Sequence, residues 1–325
     1  MRTLLGSILF FFLTFSAPGY AAMVLTFGHA QPPEHPRARA AQRFAETIKE
    51  RTRGRIVIDV AGAASVGDDA AMMKALADGS LDLTANSQGT VSAVVPEFSA
   101  IGMPFLFASP EAAWRILDGP AGQVLAQKAA AKGLIVLGFW DNGIRHLSNA
   151  TRPIREPGDV RGLRIRTPAD PVTQDVVVAL GGKPVEMKFS DVYNALLRGV
   201  VDGQENPLTN ILSAKLYEVQ KYVSLTGHKY EITPLLMSKR AWDALTAADQ
   251  AIFRAAAEDA TRYQRQVMRQ AEANAHKDLA ARGLRIDKVD TRPFAAATSK
   301  IYDKWYASPI GDYVRMVVQA ARADQ

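Results

Sequence analysis

The sequence predicts an α/β fold in two lobes, and three observations carry that prediction. Apolar, strand-like runs alternate with amphipathic helical stretches through the first half of the chain, the pattern of a sheet covered by helices. About 300 residues follow an export-type N-terminal segment, more than one hydrophobic core usually serves. Thr246 to Arg282 holds neither Gly nor Pro and is rich in Ala, Arg, Gln and Glu. One helix over that stretch would reach ~55 Å at 1.5 Å per residue, so it is expected to run across both lobes.

Taken in order, Met1-Arg2 is a positive start and Leu4 to Phe15 is apolar apart from Gly6, Ser7 and Thr14. Small residues follow through Ala22, as a signal peptidase requires. The run falls short of the ~20 apolar residues of a membrane span, so residues 1–22 are expected to be a signal peptide. Val24 to Phe27 reads as a strand. Pro36 to Thr52 reads as a helix, with Pro in its first turn, Phe44 and Ile48 on one face, and Gly54 beyond its end. Arg55 to Val60 alternates like a half-buried strand. A helix over Asp68 to Asp78 and a strand over Leu81 to Thr84 follow. Gly133 to Trp140 is almost continuously apolar, the signature of a strand buried on both faces. Trp140 to Arg145 is expected to end that strand in a turn, with Arg145 just beyond it. Thr246 and Asp249 form a capping box at the head of the long helix.

An internal echo links the two halves. Ala75 to Asp82 and Ala195 to Asp202 each close a helix at a glycine, begin a short strand, and lead into a polar loop containing Asn86 or Asn206. Shared capping chemistry and duplication both account for it. Under either, each half presents a polar segment at a strand end, where open α/β sheets bind ligands.

Composition narrows the chemistry. The chain has no cysteine, so disulfides, thiolate nucleophiles and cysteine metal sites are excluded. Its formal charge of +6 comes from 39 basic and 33 acidic residues spread along the chain. No basic run interleaved with aromatics marks a nucleic-acid surface. Glycine-rich phosphate loops, nucleophile elbows and zinc-protease motifs are absent. His29, His35, His146, His228 and His276 include no pair at a helical metal-ligand spacing. Metal and nucleophilic enzymes are therefore disfavoured, and no cofactor is expected.

The positive signals are arginines and amides near strand ends. Gly162 to Pro168 reads as a strand that places Arg164 and Arg166 on one face and stops at Thr167-Pro168. A guanidinium at such an end binds a carboxylate through two parallel hydrogen bonds. Gln204, Glu205 and Asn206 follow the apolar Val200-Val201 and read equally as a turn or as a polar rim.

Together these segments resemble the solute-binding proteins of TRAP (tripartite ATP-independent periplasmic) transporters, the DctP-like family. The resemblance covers nearly the whole chain after the signal segment. It runs through Phe27-Gly28-His29, Gly67-Asp68-Asp69, Gly79-Ser80-Leu81-Asp82, Pro104-Phe105-Leu106-Phe107 and Asp141-Asn142-Gly143-Ile144-Arg145. It continues through Arg164-Ile165-Arg166-Thr167-Pro168, Phe189-Ser190-Asp191-Val192-Tyr193-Asn194-Ala195-Leu196, Asp202-Gly203-Gln204-Glu205-Asn206-Pro207 and Tyr217 to Tyr222. Each motif is weak alone; their shared order is specific.

The resemblance implies a two-lobed periplasmic-binding-protein fold with a mixed sheet in each lobe, joined by hinge strands. Lobe 1 is expected over 23–142, completed by about 232–270, and lobe 2 over 143–231, completed by about 271–325. It implies that Arg166 clamps the ligand carboxylate, with Arg145 as a supporting arginine, Asn206 bonding the same carboxylate and Phe189 as an aromatic wall. Ser87 stands where sialic-acid binders carry a glutamate, which argues against that ligand. Asp69 matches an occasional ligand contact, although capping its own helix is the simpler role. His29 is implied near the cleft, although a satisfied buried histidine is the simpler reading. The expected partners are a small organic acid and the TRAP membrane subunits, for a monomeric protein in the periplasm. The rivals are an enzyme using His29 or His228, a ligand-presenting partner of a sensor, and a purely structural interaction protein.

Overall fold

The computed structural model describes residues 21–324, so the apolar export-type run lies outside the described residues. Among the described residues there are nine strands: β1 (Met23–Gly28), β2 (Ile56–Ala61), β3 (Leu83–Ala85), β4 (Leu134–Asn149), β5 (Arg164–Thr167), β6 (Lys183–Glu186), β7 (Gly203–Asn206), β8 (Tyr222–Ser238) and β9 (Arg285–Lys288). Their order is β2-β1-β3-β8-β4-β7-β5-β6, with β9 beside β8. The sheet is mixed and helix-covered, as the alternation predicts. Among the described residues, no helix is long and apolar enough to cross a membrane.

The echo in the sequence corresponds to a repeat in the topology. In one half β1 pairs in parallel with β2 and β3, and β3 runs antiparallel to β8. In the other, β5 pairs in parallel with β6 and β7, and β7 runs antiparallel to β4. Gly79 and Gly199 each take a positive φ beyond a helix end. The aspartate before each short strand then fixes the neighbouring strand. Asp82 Oδ2 accepts from Thr26 N at 2.9 Å, and Asp202 Oδ2 accepts from Arg164 N at 2.8 Å.

The halves meet through β4 and β8, 16 and 17 residues long, which pair from Leu134↔Ser238 to Asn149↔Tyr222. Two expectations are corrected here. The Asp141-Asn142-Gly143 segment does not end the strand in a turn; β4 continues to Asn149. The Asn-Gly signal is taken up by a bulge, where pairing shifts between Asp141 and Gly143 and Gly143 adopts φ +114. Likewise Gly203 to Asn206 is not a polar loop after an apolar strand but is itself β7, buried at every position. Its side chains find partners inside: Gln204 with Ser148, Glu205 with Arg145, and Asn206 with Asn210. Hydrogen bonding makes burial of that polar run tolerable.

The long helix runs from Ala247 to Ala281, and Thr246 caps it by accepting from Asp249 N at 3.1 Å. Phe253, Ala256, Ala257 and Ala260 pack into the core beneath β1–β3 with Phe44 and Trp140. Ala275 and Leu279 pack into a separate core with Val201, Ile211 and Val223. Small alanines let the helix lie close on both halves, so one rigid element braces the sheet across its centre.

Candidate ligand-binding site

A cavity of about 630 Å³ lies between the two halves of the sheet, within the ordinary range for small-molecule sites. Six of the seven expected residues line it: Asp69, Ser87, Arg145, Arg166, Phe189 and Asn206. His29 does not. The residue is 2% exposed and Nδ1 accepts from Gln31 N at 3.3 Å; it is a buried histidine beside a separate pocket lined also by Gln31 and Tyr263. Burial, helped by the charge of Arg37, lowers its pKa to about 4 and keeps it neutral.

Arg166 sits on β5, 3% exposed. Nε and Nη2 both donate to the Met187 carbonyl, at 3.0 and 2.7 Å, and the guanidinium lies 5.8 Å from the Phe189 ring centroid. These contacts fix the plane of the fork. Among the described residues no carboxylate pairs with it and Nη1 has no protein partner. Burial first, then repulsion from Arg145, brings its pKa down to about 10, so it stays cationic at neutral pH.

Arg145 is engaged differently. It donates through Nε to Glu205 and through Nη1 to Glu231, and Nη2 reaches the Glu205 carbonyl oxygen at 2.7 Å. Burial opposes its charge, but Glu205 and Glu231 outweigh burial and raise its pKa. In turn burial of Glu205 is outweighed by Arg145, which holds that carboxyl at about 2. Arg145 thus supports the wall with a saturated ion network. Ser87 Oγ donates to Glu231 Oε1 at 2.7 Å, and Asn206 Nδ2 donates to Gln204 Oε1 at 2.5 Å. The helix cap in question belongs to Asp68, which accepts from Ala71 N at 2.9 Å. Asp69 is therefore free of that duty; its Oδ1 is enclosed and has no partner among the described residues.

Sequence reasoning missed Arg37, Asn142, Tyr193 and Asn210, all of which line the cavity. Arg37 is 2% exposed; Nη2 donates to Asn142 Oδ1 at 3.1 Å and to Thr233 Oγ1 at 2.9 Å. A signal for it was present. An arginine in the first turn opposes the helix dipole, and that turn holds no acid to offset it. Asn210 reaches across the cavity to His35, Oδ1 to Nε2 at 3.0 Å. Lys188 and Asp68 form an ion pair of 2.5 Å at the rim, one from each half.

The family model for bacterial extracellular solute-binding protein family 7, DctP, matches residues 27–308. The chain belongs to that family. An uncharacterised Sinorhizobium fredii protein is 47% identical over 294 residues, 90% of this chain; the match spans only 54% of that relative. A TRAP periplasmic solute-binding protein from Polaromonas, solved with D-erythronate, superposes with a TM-score of 0.88 at 35% identity, covering 91% of this chain and 98% of that one. The sugar acid binding protein DctPAm of Advenella mimigardefordensis, solved with galactonate, gives 0.90 at 31% identity, covering 94% and 99%. The family 7 fold therefore accounts for the topology, and the cavity lies between the halves of a TRAP-type solute-binding protein.

Proposed function

We propose that this family 7 protein is exported to the periplasm, captures a small organic carboxylate on Arg166, and delivers it to a TRAP membrane complex. The observation that carries this reading is a buried guanidinium, held flat by Met187 and Phe189, with no acid partner and an unused donor at an interlobe cavity. A buried cation in that state is costly until an anion reaches it, and a bidentate carboxylate matches its fork. Relatives solved with erythronate and galactonate support the choice of anion.

The lobes are 23–142 with about 232–270, and 143–231 with about 271–325, hinged on β4 and β8. Ligand seated on Arg166 favours the state in which both lobes contact it, and that closed state is what the membrane subunits read. Residues 1–22 act as the export signal. The protein works as a monomer without a cofactor, and a binding role without catalysis is the reading that its membership of a solute-binding family supports.

A thermal-shift screen of organic acids against matched neutral compounds tests this. A ligand at ~100 times its dissociation constant adds about 2.7 kcal/mol to the folded state. Stabilisation by acids alone is expected; stabilisation by neutral sugars alone would remove the role given to Arg166.

A further inference from the structure

The long helix meets the sheet through two apolar stretches with a polar one between them. Its first half packs Phe253, Ala256, Ala257 and Ala260 under β1–β3, and its last turns pack Ala275 and Leu279 into the core of the other half. Where the helix passes β4 the contact changes character. Gln264, near the midpoint of the helix and fully buried, accepts from Asp141 N through Oε1 at 2.7 Å and donates through Nε2 to the Asp141 carbonyl at 2.7 Å. Thr261 and Met268 share that helix face. A Cβ added at Gly138 would stand 2.4 Å from Thr261 Oγ1, and one at Gly143 would stand 3.7 Å from Met268 Cε. The neighbouring Arg265 donates through Nε and Nη2 to the Phe139 carbonyl, at 3.2 and 3.0 Å.

Strand geometry explains why this contact falls at Asp141. Alternate residues of a strand turn their backbone groups to opposite edges. β8 occupies one edge of β4 throughout, whereas β7 occupies the other only from His146 to Asn149. Before His146 that second edge has no strand partner among the described residues, and Phe139 and Asp141 present backbone groups to it. A glutamine amide carries a donor and an acceptor, as a peptide does, so Gln264 completes the edge as a strand residue would. Apolar contact is non-directional and does not fix how far a helix slides along a sheet; two short hydrogen bonds to one peptide do. The contact also falls one residue before the bulge. Beyond it β4 shifts register between Asp141 and Gly143 and again between Arg145 and Leu147, with Gly143 and, on β8, Gly227 at positive φ. Asn142 and Arg145, in that irregular segment, both line the ligand cavity.

We propose that Gln264 is a positioning residue for ligand capture. By holding the Asp141 peptide to the long helix, it ends the rigid part of β4 there and confines rotation of one half against the other, in this strand, to Asn142–His146. The cavity wall carried by Asn142 and Arg145 then returns to one placement each time the halves separate. This rests on the reading that the halves close over a carboxylate.

The chain has no cysteine to interfere with labelling. Spin labels on Lys74→Cys and Arg198→Cys, one exposed position in each half, therefore report the distance between the halves by pulsed electron resonance, without ligand. Gln264→Met keeps the side-chain volume and removes both hydrogen bonds. Gln264→Glu keeps an acceptor for Asp141 N and removes the donor, and is read in the same way if the methionine variant does not fold. Phe253→Leu, in the apolar core beneath β1–β3, is the control for lost stability. The distance distribution is expected to broaden in Gln264→Met and to stay as narrow as the parent's in Phe253→Leu. Calorimetry uses D-galactonate and D-erythronate, the acids found in two related structures. Affinity should fall about tenfold in Gln264→Met, through a smaller binding-competent fraction, and not in Phe253→Leu, although both variants melt lower than the parent. A parent-like distance distribution in the Gln264 variant overturns the pivot, and a broadened one with unchanged affinity overturns the role in capture. If the parent binds neither acid, the carboxylate reading fails, and the ligand-free distances still confirm or overturn the pivot.

Discussion

At the scale of single residues, the site separates arginines by what holds them. Arg145 is saturated by Glu205 and Glu231, whereas Arg166 bonds only one carbonyl. Arg166→Ala is therefore expected to lower acid affinity by about 100-fold or more, since the ligand's charge is left buried and unpaired. The ligand-free protein should melt no lower than the parent, because no ion pair is lost; calorimetry and thermal unfolding check the two halves of that statement. Asp141 gives a second residue-level prediction. Burial pushes its carboxyl up to about 7, so between the ordinary carboxylate range and pH 7 the folded chain holds a proton that the unfolded chain has released. Its contribution is full at low pH and declines as pH rises through that window, by at most ~1.4 kcal/mol per pH unit. Asp141→Asn removes this slope. The melting temperature of the variant relative to the parent should climb from pH 5 to pH 8, and parallel curves would refute the assignment.

Elements position these residues through features that interrupt regularity. The bulge in β4 turns Asn142 toward the ligand cavity, while Asp141 and Gly143 line a smaller cavity against the long helix. Gly143 allows it: its φ is +114, and an added Cβ would stand 3.1 Å from Pro207 Cβ. Gly143→Ala is expected to destabilise on the order of 1–3 kcal/mol and to weaken ligand binding, both measurable by denaturant titration with and without acid. The helix Leu208–Ser213, which carries Asn210, has its first amides held from outside. Glu272 on the long helix accepts from Leu208 N at 3.0 Å and from Thr209 N at 3.1 Å. Glu272→Ala leaves those donors unmet, with an expected loss of about 1–2 kcal/mol. Asn210 loses its fixed placement, so acid affinity should fall as well.

Across the whole molecule, the two repeated halves are joined by β4, β8 and the long helix, and the C-terminal helices bridge them too: Trp305 Nε1 donates to Asp175 at 3.0 Å and the Tyr313 hydroxyl to the Ala121 carbonyl at 3.0 Å, within one apolar core common to both halves. Across the cavity itself, side chains such as His35 with Asn210 and Lys188 with Asp68 make contact. The second pair is exposed at the rim, where solvent and salt weaken it. It can bias closure without holding the halves together. Lys188→Ala is expected to speed ligand dissociation modestly and to leave the melting temperature unchanged; stopped-flow displacement reads the rate. Raised salt should reproduce the effect in the parent and not in the variant. Equal dissociation rates in both proteins would exclude the pair as a latch.

The alternation of helices and strands through the first half, the long helix with its Thr246 cap, the repeat and the place of Arg166 near a strand end could all be read from the sequence. Each of these rests on short-range physics: periodicity, capping chemistry, or a charge set at a strand end. Only the tertiary structure decided how far β4 extends, because a bulge and a turn use the same Asn-Gly signal and the long partner strand selects between them. Tertiary structure also decided which polar groups are already paired. Ser87 finds Glu231 144 positions away, and Arg145 finds Glu205 60 positions away. Such pairing depends on how distant segments meet, so which polar groups are saturated, as Arg145 is, and which bond only one carbonyl, as Arg166 does, emerges only when the chain is folded.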